Sequence, residues 1–121
     1  MSHSHLMVQT MQGVTVVSFG ASTMLDSGVI EQVGQELYAL VDQKAAKRIV
    51  LDFANVRFLA SQAVSVLLTL KKKADAIGAE LAICALRAEL RRVFKIMNLE
   101  RLFRFYDGEK EALAAWDIYT A

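Results

Sequence analysis

The chain has 121 residues, 14 Lys plus Arg against 13 Asp plus Glu for a formal charge of +1, and 55% apolar residue types. That length makes one domain, the apolar share argues against disorder, and the balanced charge argues against a nonspecific nucleic-acid binder. No uninterrupted apolar run approaches the ~18 residues of a membrane-spanning helix, so no membrane insertion is expected.

Residues 1–5 are short and polar and read as a disordered tail, with 6–121 as a single domain. Both histidines, His3 and His5, lie in that tail, which excludes catalysis by an internal histidine. Leu6–Met11 reads as a strand, Gln12-Gly13 as a tight turn, and the β-branched stretch Val14–Phe19 as its antiparallel partner. Gly20–Asp26 is a loop. Val29, Ile30, Val33, Leu37, Leu40 and Val41 recur every three or four residues, which predicts a helix over about 27–42 with Asp26 or Ser27 as its cap. Arg48–Phe53 holds a continuous apolar run and reads as a central strand covered on both faces.

After a loop over 54–60, Ser61 precedes a second helix carrying Val64, Leu67, Leu68, Leu70, Ala74 and Ile77, with Gly78 as its C-terminal glycine. Glu80–Ala85 is another apolar strand. It contains the one cysteine, Cys84, which admits no intramolecular disulfide and no cysteine-held zinc, fits a reducing cytoplasmic compartment, and reads as an inert core residue. Leu90, Val93, Phe94 and Met97 make the inner stripe of a third helix ended by Asn98. Leu102–Tyr106 reads as a last short strand, and Glu109–Ile118 as a last helix with Leu113 and Trp116 facing inward. Met7, Met11, Met24 and Met97 read as packing residues. Strands alternating with helices after an initial hairpin predict an α/β fold, a mostly parallel central sheet of four to five strands covered by four helices.

The strongest local feature is Phe58-Leu59-Ala60-Ser61-Gln62-Ala63, between a buried strand and a helix. Ligand surfaces in open α/β sheets lie beyond the carboxyl ends of strands. A serine at a helix N-terminus can cap backbone N–H groups, and those same groups favour a phosphate on its hydroxyl. Asp52, at the end of the central strand, reads as a loop-capping carboxylate. Lys71-Lys72-Lys73 points three ways around a helix and reads as a solvated face. Arg87, Arg91, Arg92, Lys95, Arg101 and Arg104 make a locally basic region diluted by Glu89 and Glu100.

The stretch Ile49–Ser61 is similar to a family pattern of an apolar strand, an Asp or Asn, a short loop, an apolar pair, then Asp-Ser-Ser/Thr-Gly-Leu and a helix. Leu81–Leu86 and Phe94–Leu99 continue it. On these residues the chain resembles the STAS domains, in particular the anti-anti-sigma factors of bacteria, from about Leu6 to Ala115. The resemblance implies a STAS-like fold and a regulatory protein-interaction module. Its partner would be a serine kinase that is also an anti-sigma factor, and Ser61 would match the serine that this kinase phosphorylates. Ala60, Gln62 and Ala63 stand where the family has aspartate, a second hydroxyl residue and glycine. Gly20 is separated from Leu25-Asp26 by four residues where the family has Gly-x-Leu-Asp. The partner surface expected from the resemblance comprises Met24, Leu25, Asp26, Ala60, Ser61, Gln62, Ala63 and Val64, with no metal and no cofactor.

Two other readings share the fold: a constitutive scaffold with Ser61 unmodified, and a module for a nucleotide or lipid-related ligand, for which the chain has no Gly-rich phosphate loop. An enzyme is not expected, because the sequence shows no internal histidine, no metal cluster and no paired carboxylates at a readable spacing.

Overall fold

The computed structural model describes residues 6–20 and 27–119. The expected tail over 1–5 and the loop residues Met24, Leu25 and Asp26 lie outside them. The elements run β1 (Leu6–Met11), β2 (Val14–Phe19), α1 (Ser27–Asp42), β3 (Arg48–Asp52), α2 (Ser61–Ala76), β4 (Glu80–Cys84), α3 (Ala88–Ile96), β5 (Arg104–Tyr106) and α4 (Glu109–Ala114).

The strands form one sheet in the order β1-β2-β3-β4-β5, antiparallel between β1 and β2 and parallel thereafter. Gln12 and Gly13 join β1 to β2 with φ of 48° and 83°, both left-handed. That is the turn whose twist matches a hairpin. From β2 onward each strand is added on the same side of the last, so crossovers of one hand place α1, α2 and α3 on one face. The larger core lies there, between Val17, Leu51 and Ile83 of the sheet and Ile30, Leu37, Leu67, Leu70 and Phe94 of the helices. Among the described residues the opposite face is covered by α4 and the turn after it, with Ala112, Leu113 and Ile118 over Val14, Val16, Val50 and Cys84. Ile49, Val50 and Leu51 are buried on alternating sides, which is why their run shows no polar alternation.

Gly34 permits close approach of α1 to α2: a Cβ there would stand 3.2 Å from Val66 Cγ2. Three helices end in the same way. At α2, α3 and α4 the left-handed residue is Gly78, Asn98 and Asp117 respectively. Each is followed by a backbone bond reaching five residues back: Ala79 N–H to Ala74 O (2.8 Å), Leu99 N–H to Phe94 O (2.8 Å) and Ile118 N–H to Leu113 O (3.0 Å). This is the Schellman arrangement, which satisfies the last carbonyls and turns an apolar residue back onto the helix.

These ends correct two expectations, and the strands β1 and β5 correct two more. The α3 helix stops at Ile96, so Met97 leaves the inner stripe and is 48% exposed, while Leu99 packs inward in its place. The last helix ends at Ala114 rather than Ile118 because Asp117 turns the chain. Met7 is 64% exposed because β1 is an edge strand with little cover. The last strand is also shorter than expected, starting at Arg104.

Candidate functional site

Parallel pairing aligns the carboxyl ends of β2, β3, β4 and β5, with Ser18, Asp52, Cys84 and Tyr106 in one row. The loop from β3 to α2 leaves this row and is held at several points. Asp52 Oδ1 accepts the Ala54 N–H at 2.8 Å, as expected of a loop-capping carboxylate. Arg87, the N-cap of α3, donates from Nη2 to the Ala54 carbonyl at 3.2 Å. Phe53 is fully buried against Phe19, ring centroids 5.1 Å apart. Val56 closes a turn onto the Phe53 carbonyl at 3.0 Å and is itself buried. A loop with two buried anchors and two side-chain ties is a preorganised platform.

The platform delivers Ala60 as the N-cap of α2, with extended φ/ψ and no side-chain cap. Ser61 is therefore the first helical residue and not the cap that the sequence reading expected. Its side chain is exposed, and its hydroxyl makes no hydrogen bond among the described residues. The reason is geometric: a capping hydroxyl must stand one residue before the helix to reach back to the N–H groups. Gln62 is exposed beside it. Ala63 and Val64 point into the core, so the expected contact surface loses both. Their spacing carried that signal, since Ala63 and Val64 precede Leu67 by four and three residues, on the inner stripe.

Beside Ala60 lies a cleft of about 560 Å³ between this loop and α3, walled by Phe58, Leu59, Leu90 and Val93 with Arg57 and Arg87 at its rim. Phe58 is 62% exposed, a large apolar side chain presented to solvent. The exposed face of the site is thus Phe58, Ala60, Ser61 and Gln62 with two guanidinium groups. The sequence reading missed Phe58 and Arg57 as surface features, although two large residues in a loop without a partner strand were the available signal.

The fold also brings together two carboxyl groups far apart in sequence. Glu109, at the start of α4, shares a hydrogen bond with Asp52. This bond, then burial and then the Asp52 charge, push the Glu109 carboxyl from 4.5 up to about 7. Cys84 lies in the same row, where burial first and then the charges of Asp52, Glu109 and Glu111 push its thiol up to about 12. A thiol held protonated is a poor nucleophile, in keeping with an inert core residue.

The basic region is partly engaged elsewhere. Arg91 stacks over Phe105 at 5.1 Å, and Arg104 pairs with Glu80 at 3.9 Å. Lys71 pairs with Asp75 and Lys73 with Asp42, so the lysine run is an ordinary solvated face. Among the described residues there is no group of three or more potential metal ligands and no helix long and apolar enough to cross a membrane.

Comparison with known proteins agrees with this architecture. The STAS domain family model matches residues 5–112. The putative anti-sigma factor antagonist BtrV of Bordetella bronchiseptica is 31% identical over 93 residues, covering 77% of this chain and 79% of that protein. An anti-sigma-factor antagonist STAS domain protein from Planctomyces limnophilus superposes with a TM-score of 0.81 at 25% identity, over 91% of this chain and 96% of that one. The Bacillus cell fate determinant SpoIIAA, solved in its phosphorylated form, shares the fold with a TM-score of 0.73 at 19% identity, over 92% of this chain and 98% of its own.

Proposed function

The chain belongs to the STAS domain family, and on that premise we propose that it acts as an anti-sigma factor antagonist, a regulatory protein rather than an enzyme. It binds an anti-sigma factor that is also a serine kinase, through the surface around Ser61, and is released when that serine is phosphorylated. The observation that carries this reading is the position of Ser61. It is an exposed hydroxyl at the first residue of a 16-residue helix, after a loop tied down at Phe53, Ala54 and Val56 and beside an uncovered apolar cleft.

The chemistry supports a switch there. A phosphate on Ser61 would sit at the N-terminal end of α2, where the helix dipole favours negative charge. The helix therefore tolerates the modification. On the partner's side, about two added charges and their hydration would be forced into a contact built around Phe58 and Ala60, which disfavours binding. That SpoIIAA, a protein of the same fold, exists in a phosphorylated form is in keeping with this. Met24, Leu25 and Asp26, which the resemblance places on the same surface, complete the proposed contact.

A second reading is favoured by Ala60, Gln62 and Ala63: with no carboxylate before the serine, the module binds its partner constitutively. One experiment separates the two. The wild type, Ser61→Ala and Ser61→Asp are incubated with the purified partner kinase and ATP. A switch gives one phosphate on Ser61 by mass spectrometry, none on Ser61→Ala, and at least about tenfold weaker partner binding by Ser61→Asp. Equal binding by all three proteins would leave the scaffold.

A further inference from the structure

Residues 87–104 differ in charge from the rest of the chain. They hold six cations against Glu89 and Glu100, a net +4, while the whole chain is +1, so everything outside them sums to −3. Arg87, Arg91 and Arg104 are engaged with Ala54, Phe105 and Glu80. Arg92, Lys95 and Arg101 are exposed and make no ion pair or side-chain hydrogen bond among the described residues. An open hollow of about 380 Å³ lies here, walled by Ala88, Arg91, Arg92, Lys95 and Glu100. It sets three cations against one carboxylate.

Next to the hollow the surface becomes apolar. Arg92 and Ile96 stand one turn apart on the outer side of α3. The left-handed turn at Asn98 sends Leu99 back into the core and leaves the residues before it outside. Ile96 is 74% exposed, and Met97 and Leu102 are exposed as well, so three of the seven large apolar side chains exposed among the described residues fall within 96–102. The crossover from β4 to β5 fixes where this patch lies. Helix α3 starts at the platform, where Arg87 meets Ala54, and β5 starts beside the first residue of β4, where Arg104 meets Glu80. The turn over 97–103 is therefore at the amino end of the sheet, the opposite end from Ser61.

We propose that this patch is a peripheral docking surface for an anionic phospholipid bilayer. A headgroup phosphate is held in the hollow by Arg91, Arg92 and Lys95, and Ile96, Met97 and Leu102 reach the boundary between headgroups and acyl chains. The combination singles out a lipid surface. Unpaired cations and projecting apolar side chains share one small area, and an anionic lipid presents the matching charge and hydrocarbon together. An acidic protein would supply the charge but needs an apolar pocket to receive its own side chains, and the hollow is walled by charged groups. A nucleic acid strand would take stacking aromatics, and Phe94 and Phe103, the aromatics of this segment, are buried. No segment crosses the bilayer, so the contact is reversible and screened by salt. A docked chain keeps Ser61 turned toward solution.

Vesicle flotation of the full chain tests this. Vesicles of phosphatidylcholine alone are compared with vesicles containing about 30% phosphatidylglycerol, at about 50 and about 500 mM salt. Partitioning is expected to be at least about tenfold stronger on the anionic vesicles at low salt and to fall several-fold at high salt. The double variant Arg92→Glu, Lys95→Glu is expected to lose at least about tenfold, since each basic residue near such a surface contributes about fivefold. The double variant Ile96→Ser, Met97→Ser changes no charge and is expected to lose about tenfold. Met7→Ser, which removes an exposed apolar side chain elsewhere, binds as the wild type does. All variants keep the wild-type circular dichroism spectrum. Equal partitioning on neutral and anionic vesicles, or none on either, overturns the proposal. So does undiminished binding by the Ile96→Ser, Met97→Ser protein, which leaves a site for a soluble anion or an acidic protein only.

Discussion

Glu109 carries the clearest titration in the molecule. Its proton is held by Asp52 up to about pH 7, whereas a freely solvated carboxyl releases it near 4.5. Between those values the folded chain binds a proton that the unfolded chain has lost. The contribution to stability is therefore complete below about 4.5 and disappears as pH rises through about 7. Glu109→Gln keeps a neutral donor toward Asp52 and removes the titration. Urea midpoints measured from about pH 5 to about pH 8 should fall less steeply for this variant than for the wild type. Parallel curves would show that the proton is not shared. Ser61 is the opposite kind of residue, exposed and with a hydroxyl bonded to nothing within the described chain. Its replacement by alanine is expected to change stability by less than about 0.5 kcal/mol, which makes it a clean probe of partner binding.

At the scale of elements, the three left-handed helix ends differ in how well their residues suit the conformation. Gly78 adopts φ of 70° without penalty, while Asn98 and Asp117 hold 58° and 60° with a side chain. Gly78→Ala is expected to destabilise by about 1 kcal/mol, whereas Asn98→Gly and Asp117→Gly are expected to stabilise by a few tenths to about 1 kcal/mol. Guanidinium unfolding of the three variants orders them. The start of β4 is held by side chains: Glu80 accepts the Trp116 indole N–H at 2.8 Å and lies 3.6 Å from Arg48, whose guanidinium stacks on the same indole at 5.6 Å. The single tryptophan is thus bound to this cluster and only partly buried, in place of the inward-facing core residue that its helical spacing predicted.

For the whole molecule, the two faces of the sheet carry unequal shares of the core. Three helices cover one face, and the short α4 with the turn after it covers the other. Phe94 is fully buried in the larger core, meeting Phe103 and Phe105 edge to face at 6.0 and 5.7 Å. Phe94→Ala is expected to cost about 3–5 kcal/mol, a large part of the ~5–15 kcal/mol available to a domain, and equilibrium denaturation measures it. The apolar excess of the composition is placed by the same division. Most of it fills the core on the two faces of the sheet, and part of the remainder is exposed, at Phe58 beside Ser61, at Met7 and Val8 on β1, and at Ile96, Met97, Leu102 and Tyr119.

What could be read in the residues was whatever depends on neighbours within a few positions. The three- and four-residue spacing of α1, the Gln12-Gly13 turn, Gly78 and Asn98 as helix ends, and the unbroken apolar run of β3 are all local consequences of backbone geometry and burial. The STAS fold and its serine were legible because Ile49–Ser61 is one continuous stretch. Features that join distant segments could not be read this way. Asp52 and Glu109 meet only because β3 ends and α4 begins at the same end of the sheet. Ser61 falls inside α2 rather than capping it because the tied loop over 53–60 sets where the helix begins. Met97 leaves the core because α3 stops one residue before it. The edge position of β1 is likewise a property of strand order. Hydrophobic spacing determines which side of an element turns inward, but only packing determines which element lies next to it.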